Sequence, residues 1–119
     1  MSYELIPTPI YEKSIKNYYR KKKFTKIYDD LAPVLELLEK GTLLGDKIAD
    51  LKLGTSHSVY KLRISNSNIN KGKSSGYRLI YYVVSDEGII YLLNLYFKKS
   101  DNDVIDEKEI RDIIEKYIN

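Results

Sequence analysis

Two nearly unbroken apolar runs, YRLIYYVV at 77–84 and IIYLLNLYF at 89–97, flank the turn Ser85-Asp86-Glu87-Gly88. So short a connection predicts an antiparallel hairpin, and apolar residues on both faces of each run predict central strands. The segment before them, Val59 to Ile64, alternates strictly. Tyr60, Leu62 and Ile64 take one face and Val59, Lys61 and Arg63 the other, so one face is apolar and the other largely cationic. The polar stretch SNSNINKGKSSG, 65–76, reads as a flexible hairpin connection.

Upstream, Tyr3 to Ile6 is a short strand candidate that stops at Pro7 and Pro9. Tyr11, Ile15, Tyr18 and Tyr19 recur at helical spacing until the basic run Arg20, Lys21, Lys22, Lys23 breaks the stripe before Phe24. A second stripe, Ile27, Leu31, Val34, Leu35 and Leu38, ends at Gly41, with Thr25 as its candidate cap and a kink expected at Pro33. These two helices read as an α-hairpin with one shared buried face. Residues 41–58 read as a loop, with room for a turn of helix around Lys47 to Leu51.

The last helix starts at Asp106, which stands at capping-box spacing from Glu109, and carries Ile110, Ile113, Ile114, Tyr117 and Ile118 on one stripe. The order β-α-α-β-β-β-α predicts one α+β domain over residues 1–119. It is built as a small, mainly antiparallel four-stranded sheet with an N-terminal helical hairpin and a C-terminal helix. A chain of 119 residues accommodates one such domain and not two, and its 43% apolar content is enough for a core. With no uncharged apolar run of membrane length, no secretory signal at Met1-Ser2-Tyr3-Glu4 and no cysteine, the expectation is a soluble cytoplasmic protein.

The net charge of +3 hides a division along the chain. Residues 61–99 carry seven Lys/Arg against two Asp/Glu, while residues 100–119 carry three against seven. A basic middle beside an acidic tail fits a polyanion-binding surface, and it also fits ordinary solvated faces. Several kinds of site drop out at once. His57 is the single histidine and has no histidine or cysteine partner for a metal. Gly72-Lys73-Ser74 has Ser67 where a phosphate-binding loop needs its first glycine, and a strand follows instead of a helix. Most carboxylates fall in turns or on exposed helix faces, which argues against paired-carboxylate glycoside chemistry.

Cations on strands remain. If the 65–76 connection closes a simple hairpin with Arg63 opposite Arg78, then Lys61, Arg63 and Arg78 share one face, whereas one bulge sends Arg78 to the other. Like charges directly opposite destabilise by up to about 1 kcal/mol, a cost that a bound phosphate reverses. The competing account is a sheet face kept in solution by long snorkelling side chains. Lys98 and Lys99 end the last strand and close the rim, and Tyr77, Tyr81, Tyr82, Tyr91 and Tyr96 interleave with the cations. Tyrosine can stack on unpaired RNA bases, although most of the 12 tyrosines are expected in the core.

The segments VYKLRI (59–64), GKSSGYRLIYYVV (72–84) and DEGIIYLLNLYFKKS (86–100), closed by a C-terminal helix, resemble toxins of the RelE/ParE superfamily, RelE-like and HigB-like members in particular. SSGYRLIYYV is the most specific piece, and the N-terminal helices match in type and spacing only. The resemblance implies a cytoplasmic toxin of a type II toxin-antitoxin pair that cuts mRNA at the ribosome without a metal or other cofactor. It also implies a cognate antitoxin as partner. In such enzymes the substrate's 2′-hydroxyl attacks the adjacent phosphate and basic side chains replace the usual histidine pair.

By position, the resemblance implies catalytic roles for Lys61, Arg63, Arg78 and Lys99. Lys71, Lys73, Tyr77, Tyr96 and Lys98 would bind RNA. Arg63 stands where the family has its general-base lysine, and arginine stays protonated. Lys61 or Lys73 must then activate the 2′-hydroxyl, or Arg63 serves only as a phosphate ligand. Arg78 matches the transition-state arginine, and Lys99, or Lys98 one residue earlier, the acid for the leaving 5′-oxygen. Val104 and Ile105 occupy the stretch where the family carries a C-terminal tyrosine, so stacking falls to Tyr96 or Tyr77 or is lost. Two further expectations stay open: a ParE-like toxin that binds a protein such as DNA gyrase, and a non-catalytic RNA-binding remnant.

Overall fold

The computed structural model describes residues 2–48, 54–69, 75–98 and 106–118. Its elements are β1 (Glu4–Pro7), α1 (Pro9–Arg20), α2 (Ile27–Glu39), β2 (Asp46–Lys47), β3 (His57–Ile64), β4 (Tyr77–Val84), β5 (Ile89–Phe97) and α3 (Glu107–Tyr117). One sheet runs in the order β1-β5-β4-β3-β2, with β1 parallel to β5 and every other pair antiparallel. The α+β class expected from sequence is present.

The expected four strands become five. The addition is β2, which lies in the stretch read as loop and includes Lys47, where a helical turn was expected. Glycine geometry explains it. Gly45 has φ +92°, and a Cβ there would stand 2.5 Å from the Lys61 carbonyl oxygen, so only glycine lets the chain come this close to β3. Asp46 then pairs with Lys61 and Lys47 with Tyr60.

All eight residues of β4 are buried, as its apolar character on both faces requires of a central strand. One face packs on the helical hairpin, where Tyr11, Ile15, Ile27, Leu31 and Leu38 meet Tyr77, Leu79, Tyr81 and Leu95. The other packs on α3 through Ile110, Ile113 and Ile114, which meet Val59, Ile80, Tyr82 and Leu93. An 11-residue helix is marginal alone, so burial of these three isoleucines holds it, at about 1.5–3 kcal/mol each.

The caps follow the chemistry in two cases and depart from it in a third. Asp106 accepts from the Glu109 amide at 2.8 Å, as the capping-box spacing predicts. Thr8 caps α1 by accepting from the Tyr11 amide and donates to the carbonyls of Leu92 and Leu93, which pins the start of α1 to β5. Thr25 does not cap α2. The cap position is Lys26, without a side-chain bond, and its amide donates to Asn68 Oδ1 at 2.9 Å while Thr25 accepts from Asn68 Nδ2. The loop after β3 therefore holds the tip of the helical hairpin. Asp30 reinforces this by accepting from the Ser67 amide and hydroxyl.

Candidate nucleic-acid interface

β3 and β4 pair without a bulge, and Arg63 lies opposite Arg78. Val59, Lys61 and Arg63 therefore share a face with Arg78, Ile80 and Tyr82, the face that α3 covers in part. Close approach fixes the register at its open end, since a Cβ on Gly76 would stand 2.4 Å from the Ile64 carbonyl oxygen. The bulge that threatened this arrangement occurs one strand further on. Ile80 pairs with Asn94 and Tyr81 with Leu92, so Leu93 is an extra residue in β5. The extra residue inverts the alternation beyond it, and Tyr96, not Leu95, pairs with Arg78 on the cationic face.

Lys98 follows the end of β5, where its amide donates to the Gly76 carbonyl at 2.8 Å. Its charge reaches Lys61. Burial lowers the Lys61 pKa first, repulsion from Lys98, Arg78 and Arg63 lowers it further in that order, and Asp46 on the neighbouring strand opposes them. Such a lysine gives up its proton more readily than a free one. The two arginines differ sharply in exposure. Arg63 faces solvent, whereas Arg78 is 2% exposed and donates from Nη1 to the Tyr77 carbonyl at 3.1 Å.

Tyr77 does not belong to this surface. A strand places neighbours on opposite faces, so Tyr77 points away from Arg78 into an aromatic cluster with Tyr18, Phe24 and Phe97, fully buried and closed to any base. Tyr81 likewise joins the hairpin-side core and donates to the Leu44 carbonyl. Tyr82 and Tyr91 lie on the cationic face with rings 6.0 Å apart, and the Tyr82 hydroxyl bonds to His57 Nδ1. Lone His57 is thereby occupied within the sheet. Tyr96 is half-buried beside Arg78. Lys71, Lys73 and Lys99 lie outside the described residues.

Among the described residues, no three His, Asp or Glu side chains gather as a metal cluster, and no helix is long and apolar enough to cross a membrane. The sequence reading missed Asp46, which β2 sets beside Lys61; the signal available was the spacing of Gly41 and Gly45 in an otherwise featureless stretch. No family model matches the chain, and no solved structure matches it.

Proposed function

We propose that this chain is the toxin of a type II toxin-antitoxin pair, a metal-independent endoribonuclease that cleaves mRNA on the ribosome. The observation that carries this reading is the placement of a half-buried Lys61 among Arg63, Arg78 and Lys98 on one sheet face, with its pKa lowered. Cations packed this way repel one another, and a phosphate laid across them reverses the sign.

In this mechanism Lys61, acting through its deprotonated form, which the lowered pKa makes more accessible, takes the proton of the 2′-hydroxyl as that oxygen bonds to phosphorus. The P–O5′ bond then breaks to leave a 2′,3′-cyclic phosphate and a 5′-hydroxyl. Exposed Arg63 binds the phosphate, which suits an arginine better than proton transfer does. Buried Arg78 acts through its field on Lys61 and on the developing negative charge. Lys99, or Lys98, donates the proton to the departing oxygen. Tyr96, half-buried beside Arg78, takes the stacking role next to the bound phosphate in this proposal. A cognate antitoxin, with acidic or apolar surface to cover the cations, accounts for survival of the cell that makes the protein.

The burial of Arg78 favours a second reading, RNA binding without cleavage, because a guanidinium with 2% exposure does not reach a substrate directly. A ParE-like action on a protein such as DNA gyrase is the third. A translation run-off assay and a supercoiling assay on the same purified protein separate them. The proposal expects loss of intact mRNA and no effect on supercoiling, with Lys61→Gln abolishing the first. Inhibition of supercoiling with intact mRNA refutes it.

A further inference from the structure

The tip of the helical hairpin carries charge that the strand-face site does not use. Arg20, Lys21, Lys22, Lys23 and Lys26 are all exposed, and none is paired with a described carboxylate. One or two cations suffice to offset the negative end of α1, so five exceed what the helix needs. Two acids stand nearby in the first turn of α2, and one of them, Asp30, is taken by Ser67. Lys23 adopts φ +61°, a left-handed conformation that glycine takes without strain, so the turn carries a charge where a glycine is easier.

Packing sets this tip at the same end of the sheet as the candidate site. The Phe24 ring lies 5.1 Å from that of Phe97, whose chain neighbour is Lys98, and the Tyr18 hydroxyl accepts from the Phe97 amide. Asn68, a few residues beyond Arg63, bonds the other side of the tip. The cations at the ends of β3 and β5 and those of the tip therefore border one rim, from the α3 side of the sheet around to the hairpin. Beside the tip, Tyr19 and Tyr28 are 42% and 53% exposed with rings 5.7 Å apart. Exposed aromatics among cations suit a single-stranded nucleic acid, whose bases stack while its phosphates are held. A membrane surface fits less well, because Phe24, the large apolar side chain of the tip, is turned into the core.

We infer that the α1–α2 tip is a second RNA-binding element that holds the backbone and bases of the strand beyond the phosphate bound at Lys61 and Arg63. This rests on the proposal that the strand face takes RNA. The test is the salt dependence of binding, measured with the intact protein, of a long single-stranded RNA and of a trinucleotide that only the strand face can hold. Both carry 2′-O-methyl groups at every step, which blocks attack by the 2′-oxygen so that nothing is cleaved. Lys21→Ala/Lys22→Ala/Lys23→Gly keeps the turn conformation and removes three charges. It is expected to lower the slope of log K against log salt by about 2 for the long strand and to leave the trinucleotide unchanged. Tyr28→Ala is expected to weaken long-strand binding about tenfold at an unchanged slope. An unaltered slope, an equal loss for both ligands, or wild-type binding to phosphatidylserine vesicles in place of RNA overturns the inference. Failure of the strand-face reading looks different: Arg63→Ala then leaves trinucleotide binding untouched while the tip variant still changes the slope.

Discussion

Arg63→Gln removes one positive charge from beside Lys61 while keeping most of the side chain. The two residues stand two apart on one strand face, about 7 Å at a rise of about 3.4 Å per residue. Unit charges at that distance repel by about 2.4 kcal/mol at an effective dielectric of about 20 and by about 0.6 kcal/mol in bulk water. Arg63 is exposed, which selects the lower end, about 0.6 kcal/mol. The sign is upward, because Lys61 sits below the ordinary lysine value and Arg63 is one of the groups holding it there. Lys98 contributes more, so Lys98→Gln moves Lys61 further, and neither restores the ordinary value, since burial is the first cause. Because the charged lysine is disfavoured in the fold, its cost is fully present below the folded pKa and disappears as pH rises toward about 10.5. Arg63→Gln therefore stabilises the protein at neutral pH by about 0.6 kcal/mol through Lys61, and relief of its repulsion with Arg78 on the facing strand adds up to about 1 kcal/mol. Titration of 13C-labelled lysine side chains by NMR reads the shift directly. A wild-type Lys61 that titrates like the exposed lysines, or one that ignores both substitutions, refutes the electrostatic account of this face.

Two predictions concern the tyrosines. Tyr77→Phe removes a buried hydroxyl with no hydrogen-bond partner among the described residues, so the unfolding free energy from urea titration is expected to hold or to rise by up to about 1–3 kcal/mol; a loss above about 1 kcal/mol contradicts it. Burial raises the pKa of Tyr11, Tyr77 and Tyr81, so the stability they confer is whole below the unfolded value of about 10 and drains away above it. Urea unfolding between about pH 9 and pH 11 is expected to show a falling midpoint, and a flat profile would falsify the burial of these hydroxyls.

Much of the site follows from alternation alone. Val59 to Ile64 shows its cationic face in the sequence, and the Arg63–Arg78 pairing was legible once a bulge-free hairpin was assumed. The same alternation places Tyr77 opposite Arg78, so naming both as ligands on one surface was a conflict the sequence could have exposed. The Leu93 bulge was not legible, because in a strand buried on both faces an extra apolar residue leaves no break in pattern. Nor was the burial of Arg78, which depends on what tertiary structure lays over it. β2 is two residues held by one left-handed glycine, too short for any periodicity. The basic run at 20–23 was visible as an interruption of α1, and only the packing of Phe24 on Phe97 ties it to the end of the cationic face.

The central claim is that the face holding Lys61 cleaves RNA through the substrate's own 2′-hydroxyl. The most direct measurement is the chemistry of the ends left on mRNA after incubation with the purified protein and translating ribosomes, with a metal chelator present. The account predicts 2′,3′-cyclic phosphate and 5′-hydroxyl ends, undiminished by the chelator and absent with Lys61→Gln. Intact mRNA, cleavage that the chelator stops, or the same ends at the same rate from Lys61→Gln contradicts it.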